Sequence, residues 1–203
     1  MPKYYDPLSD MSRIKEYLMN LFLDKEDLVN LIMPTLDNDH FTLNQNWLGG
    51  KYDKNIFGKT EIKTLLGHCF DHPYMEGTVT DSRCAIFIET YLNKVENKHI
   101  KEVGLDVFVI CHKEIVQLSE EDKQYYNSIG IYGNRVDSAI QLINSSLLDP
   151  IENEHFKKKY SIGEINMSER NPLKQYIPNT KFYGKCLSYI YQTFYQRKSN
   201  IGR

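Results

Sequence analysis

Between Gly67 and Cys84 the chain reads GHCFDHPYMEGTVTDSRC, two His, two Cys and two Asp within eighteen residues. His68 and His72 have the H-x3-H spacing that, on a helix, sets both imidazoles on one face, as a zinc ion requires. Cys69 and Cys111 each have a His beside them, His68 and His112, and a thiol with a base is how a thiolate nucleophile is made. The surroundings argue against both chemistries. Pro73 pushes His72 out of the α region, Gly67 precedes the pair, and no Glu stands next to His68 as a metalloprotease helix would have it. Neighbours in a strand point to opposite faces, so sequence adjacency separates each Cys from its His. No catalytic, cofactor-binding or metal-binding residue is assigned, and no cofactor is expected. A small metal- or Cys/His-dependent hydrolase using His68, His72 and Asp71 or Asp81 is the alternative, and a monomeric adaptor domain is a third reading. The segment is expected to enter a sheet as an irregular or edge piece, with Pro73 and Gly77 setting turns.

Other chemistries leave fainter traces. There is no G-x-x-x-x-G-K-[ST] and no G-x-G-x-x-G, and Gly49-Gly50-Lys51 alone does not make a phosphate loop. The formal charge is −2, so no overall basic field draws the chain onto DNA or an anionic membrane, and Lys157-Lys158-Lys159 reads as a solvated loop. No window approaches the apolar length of a membrane helix, and MPKYYDPLSD lacks the layout of a signal peptide, which places the chain in a cytoplasm. Cysteines 69, 84, 111 and 186 form no C-x-x-C. They read as reduced thiols, with Cys84, Cys111 and Cys186 buried as small hydrophobes.

At 203 residues the chain suits one domain. Ile14, Leu18, Leu21 and Phe22 recur at helical spacing and predict a helix over Asp10–Leu23, capped by Asp10 or Ser12. A second helix carries Leu28, Leu31 and Ile32 and stops at Pro34, so residues 1–33 are N-terminal helices. CAIFIETYL is apolar on both alternate faces, which predicts a strand covered on both sides. EVGLDVFVICH is its antiparallel partner across the NKVENKH turn. Ser119-Glu120-Glu121-Asp122 opens a short helix that Gly130 closes, and a longer helix over Asn134–Leu148 shows the stripe Val136, Ala139, Ile140, Ile143 and Leu147, with Pro150 after its end. Residues 162–168 and 182–195 read as strands separated by a loop. The fold class is α+β, an antiparallel sheet with helices packed on it, in a core spanning 61–203.

Residues 34–60 show neither period and read as a long loop, rich in Asn, Asp and Gly, holding Trp47, Tyr52 and Phe57. Large aromatics in such a segment seek a surface, either the parent domain or a neighbouring subunit, and these three are the candidate interface residues. Fifteen Tyr and nine Phe in the whole chain point the same way, because a tyrosine ring is apolar and its tip still hydrogen-bonds.

The run GHCFDHPYMEGTVTDSRCAIFIETYL, then GLDVFVICHKE, YGNRVDSAIQLINSSLL and IGEINMSERNPLKQYIPNTKFYGKCLSYIY, resembles head–tail junction proteins of tailed bacteriophages, the tail-terminator and neck proteins. The resemblance rests on a long hairpin, a helix opened by Asn134-Arg135-Val136-Asp137, a strand holding Ile162-Gly163-Glu164 and a closing strand after a Pro-bearing loop, over residues 60 to 195. It implies a non-catalytic virion protein, assembled in the host cytoplasm, that forms a ring with copies of itself, caps or joins the tail tube, and contacts neighbouring neck or tail-tube proteins. DNA would only pass through the lumen, and no membrane is involved.

Overall fold

The computed structural model describes residues 7–32, 68–79, 82–96, 100–160 and 162–194. Among these residues five helices lie with one six-stranded sheet: α1 (Pro7–Leu23), α2 (Glu26–Ile32), β1 (Cys69–Phe70), β2 (Cys84–Val95), β3 (Ile100–His112), α3 (Glu120–Ser128), α4 (Arg135–Leu148), α5 (Pro150–Tyr160), β4 (Asn166–Met167), β5 (Leu173–Tyr176) and β6 (Phe182–Phe194). The class is the α+β that the patterning predicts. The sheet runs β1-β2-β3-β6, with β4 and β5 both on the outer side of β6, and it is antiparallel except where β1 lies parallel to β2.

Strict alternation explains the sheet's two faces. Cys84, Ile86 and Ile88 of β2, Val103, Leu105, Val107, Val109 and Cys111 of β3, and Leu187, Tyr189 and Tyr191 of β6 point into the main core under the helices. Ala85, Phe87, Phe108, Ile110, Phe182 and Cys186 point the other way into a smaller cluster, packed with Phe70, Tyr74 and Tyr176. Both faces of CAIFI are covered, which is why the strand reads apolar throughout. Gly184 is required where β6 meets β3, because a Cβ there would collide with the Val109 carbonyl oxygen and Ile110.

The helical layer is built from the predicted stripes. Ile14, Leu18, Leu21 and Phe22 of α1 and Val136, Ala139, Ile140, Ile143 and Leu147 of α4 are all buried. Polar anchors fix the layer in register. Tyr189 Oη donates to Asn144 Oδ1 at 2.9 Å, joining β6 to α4, and Tyr17 Oη donates to Glu152 Oε2 at 3.0 Å, joining α1 to α5. Asn153 is buried, donating to the Leu147 carbonyl at 3.0 Å and accepting from Ile165 N at 3.1 Å, so α5 is tied to α4 and to the chain entering β4.

Four details depart from the expected elements. Helix α1 starts at Pro7, whose fixed φ suits a first helical position, so Asp10 and Ser12 lie inside it rather than capping it. Pro150 opens α5 rather than merely ending α4: Asp149 Oδ1 accepts from Ile151 N and Glu152 N, at 2.8 and 3.1 Å, and caps the new helix. The lysines read as a solvated loop therefore lie on α5, where Lys157 pairs with Glu164, Lys158 with Glu154, and Lys159 sits over the Tyr17 ring. Residues 162–168 contribute one bridge at Ile162 and the two-residue β4, whereas the loop after it holds a strand, β5. Residues 34–60, with Trp47, Tyr52 and Phe57, and also Asp81, lie outside the described residues.

Ile143 is fully buried at the centre of the α4 stripe. Ile143→Ala is expected to lower stability by about 2–5 kcal/mol in urea unfolding, the range for truncating a buried aliphatic side chain.

Candidate functional site

The His/Cys cluster of residues 68–79 is a cover for the sheet's smaller core. His68 Nδ1 lies 2.8 Å from the Cys84 carbonyl oxygen, and His72 Nδ1 lies 2.8 Å from that of Pro73, so each imidazole is held by backbone. Phe70 stacks on Phe87 with centroids 4.8 Å apart, and Tyr74 meets the same ring edge-on at 5.7 Å. Asn179 donates to Tyr74 Oη at 3.0 Å, closing the cover against the loop before β6. Asp71 is exposed, and its carbonyl accepts from Lys15 Nζ at 2.6 Å. Among the described residues no group of three or more His, Cys, Asp or Glu could hold a metal ion.

The cysteines divide into two kinds. Cys69 is fully buried and burial pushes its thiol far up, while burial followed by Asp106 pushes Cys186 up to about 12. Both shifts oppose thiolate formation, the reverse of what a nucleophile needs. These two thiols are free and buried, as expected for Cys186. Cys84 and Cys111 are not reduced thiols: they form a disulfide, which corrects the expectation. They face each other in register on β2 and β3. His112 N donates to the Arg83 carbonyl in the adjacent pair, so by alternation Cys84 and Cys111 occupy a non-hydrogen-bonded site, the closer of the two kinds, with Cα atoms 4.0 Å apart. The legible signal was positional, since the register that pairs Leu92 with Val103 near the turn also pairs these two cysteines.

The Asn134-Arg135-Val136-Asp137 step is a docking device, and its function was not visible in the sequence. Asn134 Oδ1 accepts from Val136 N and Asp137 N, at 2.9 and 3.0 Å, while Asp137 Oδ2 accepts from Asn134 N at 3.4 Å, a reciprocal capping box. Arg135 is 7% exposed. Its Nε donates to the Ile115 carbonyl at 2.9 Å, one terminal nitrogen donates to the Leu31 carbonyl at 3.2 Å, and the other lies 3.8 Å from Asp122 Oδ2. Burial lowers the guanidinium's proton affinity and Asp122 opposes that, which keeps a buried charge compensated. Asp137 Oδ1 meets Lys185 Nζ of β6 at 2.6 Å, so the same helical turn is fastened to the sheet.

The concentration of chemistry on the surface lies on the sheet face away from the helices, past the cover. Glu89, Asp106 and Ser188 stand abreast on β2, β3 and β6. Asp106 is 7% exposed, with Lys174 Nζ 3.6 Å from Oδ2 and Tyr91 Oη donating to Oδ1 at 3.4 Å. Tyr91 lies flat across Gly104, whose missing side chain makes room for the ring. Burial first, then Asp106, raises the Tyr91 phenol. Glu89 directly opposite Asp106 places two carboxylates side by side, an arrangement that costs stability unless cations come close. Lys174 supplies one from the β5 side only. This face offers carboxylates and a tyrosine ring to cationic and apolar groups. None of its residues was singled out from the sequence, because alternating charges along a strand read as an ordinary solvated face.

An open α+β sheet with helices on one face and an uneven charged patch on the other defines the class of the molecule. The chain belongs to the YomW family, whose pattern it matches over residues 25–191, from α2 into β6 and including Arg135. The family is phage-derived, which points to a phage protein without singling out a head–tail junction family. No curated protein and no solved structure matches the chain.

The β2–β3 crosslink is checked by counting thiols. Unfolding in the presence of an alkylating reagent, without reductant, is expected to modify two of the four cysteines, Cys69 and Cys186, as read by mass spectrometry. Removing the bond in Cys84→Ala/Cys111→Ala is expected to lower stability by about 3.5 kcal/mol, the loop-closure contribution for this separation.

Proposed function

We propose that the protein is a structural component of a tailed-phage particle, a ring at the head–tail junction that caps or joins the tail tube and works by contact rather than catalysis. The observation that carries this reading is the shape of the sheet. Among the described residues its two open edges, the part of β2 beyond β1 and the strand β5, are unlike each other and lie on opposite sides of the same sheet. Repeated contact between two unlike surfaces generates a ring when the rotation closes. The phage origin of the family supports the setting, and the tyrosines on the outer surface support contact. Tyr91, Tyr125 and Tyr132 are 38%, 50% and 61% exposed. The partners are copies of the chain and the neck or tail-tube proteins above and below it. DNA passes through the lumen without base readout, for which a formal charge of −2 raises no objection.

The test is genetic. A phage with a stop codon early in this gene is expected to yield unjoined heads and tails in electron micrographs of the lysate and to lose plaque formation, with both restored by the gene in trans. Joined, infectious particles lacking the protein would overturn the reading.

A further inference from the structure

Among the described residues the sheet has two open edges, the part of β2 beyond β1 and the strand β5, whose side-chain faces and charges are complementary. On β2, Ile86 N donates to the His68 carbonyl of β1, so Ile86 turns its backbone outward. By alternation Thr90 and Leu92 do the same beyond the reach of β1, whose Phe70 carbonyl still takes the Ile88 N–H, and among the described residues no strand pairs with them. On the far side, Ser188 of β6 bonds outward to Pro172 and Ser168, which fixes the phase of the ladder. Lys174 and Tyr176 are therefore bonded to β6, and Leu173 and Gln175 turn their backbone outward, with Ile177 next in line. Each edge offers outward groups at every second residue, and natural sheets seldom leave such an edge unprotected.

We infer that β2 of one copy pairs with β5 of the next, so that the sheet continues from subunit to subunit. The inference rests on the ring reading and specifies its interface. Within one subunit β2, β3, β6 and β5 alternate in direction, so β5 is antiparallel to β2. A neighbour set edge to edge with the same face outward brings its β5 against β2 antiparallel, as an ordinary ladder. Thr90 then stands opposite Gln175 and Leu92 opposite Leu173, all on the helix-side face. Leu92 and Leu173, 44% and 46% exposed in one subunit, cover each other. On the opposite face Tyr91 stands against the neighbour's Lys174, and Glu89 lies diagonal to it, within reach of a long side chain. That supplies the second cation for the Glu89–Asp106 carboxylate pair, which has Lys174 on one side alone within the subunit. A pairing of β2 with β2 lacks this charge match, since it would set Glu89 near a second Glu89.

Proline at an outward-facing position removes one edge donor and leaves the bonds to the inner strand in place. Thr90→Pro blocks the β2 edge and Gln175→Pro blocks the β5 edge. In the full-length chain at high concentration, native mass spectrometry is expected to show wild-type rings, monomers for each variant, and one-to-one dimers when the two variants are mixed. Circular dichroism and thermal melting establish that each variant is folded. A second measurement avoids proline: Leu92→Cys/Leu173→Cys is expected to give a ladder of crosslinked species under oxidation, and either single variant is not. A folded variant that still assembles as wild type, a wild-type chain that stays monomeric, or a mixture that stays monomeric overturns the inference. The readings fail separately. A chain essential to head–tail joining whose Thr90→Pro variant still assembles keeps the junction role and loses this interface.

Discussion

A single buried guanidinium organises the helical half of this protein. Arg135 reaches in three directions from the first turn of α4, to the last turn of α2 at Leu31, to the loop after β3 at Ile115, and to Asp122 of α3. Two of these partners are backbone carbonyl oxygens. A helix leaves its final carbonyls unsatisfied, and Leu31 is one of them. Arg is suited to the position because its planar fork presents several donors at fixed angles, and Lys presents a compact charge instead. The same turn carries Asn134, which caps the helix, and Asp137, which grips Lys185 on β6. Four consecutive residues thus set where α4 begins, which loop it meets and which strand it lies on.

From that fastening the rest follows by packing. With α4 in place, its apolar stripe covers β3 and β6, Asn144 receives Tyr189, and Asn153 on the next helix joins the chain entering β4. The sheet beneath is held covalently at one end by Cys84–Cys111 and covered on its second face by the segment around Phe70 and Tyr74. The remaining half of that face, where Glu89, Tyr91 and Asp106 lie, sets two carboxylates beside the single cation Lys174. The crosslink and the aromatic cover are concentrated at one end of the sheet and the charged groups at the other.

The hairpin and α4 were legible because each has a strong period. CAIFI and VGLDVFVIC alternate over many residues, and Val136, Ile140, Ile143 and Leu147 trace one helical face. Helix α5 was hidden because only Asn153 and Phe156 are buried on it, too few to set a period among charged residues. Strand β5 was hidden because it is polar, brief and bounded by Pro172 and Pro178, which look like loop punctuation. At His68/His72 the flanking Gly67 and Pro73 already argued against a metal-binding helix, and each ring lies against a backbone carbonyl. In Asn134-Arg135-Val136-Asp137 the capping residues were visible but the burial of Arg135 was not, because its partners lie about 20 and 104 residues away in sequence. Long-range partners of a charged side chain leave no local pattern.

The central claim, that Arg135 acts through its directed donors rather than its charge alone, is tested by urea unfolding of Arg135→Lys beside Arg135→Ala. Lysine keeps the charge near Asp122 and cannot reach both the Leu31 and Ile115 carbonyls at once. The account predicts that both variants lose about 2–5 kcal/mol, as expected when buried acceptors are left unpaired. A lysine variant within about 0.5 kcal/mol of the parent, the range of ordinary surface changes, would contradict it.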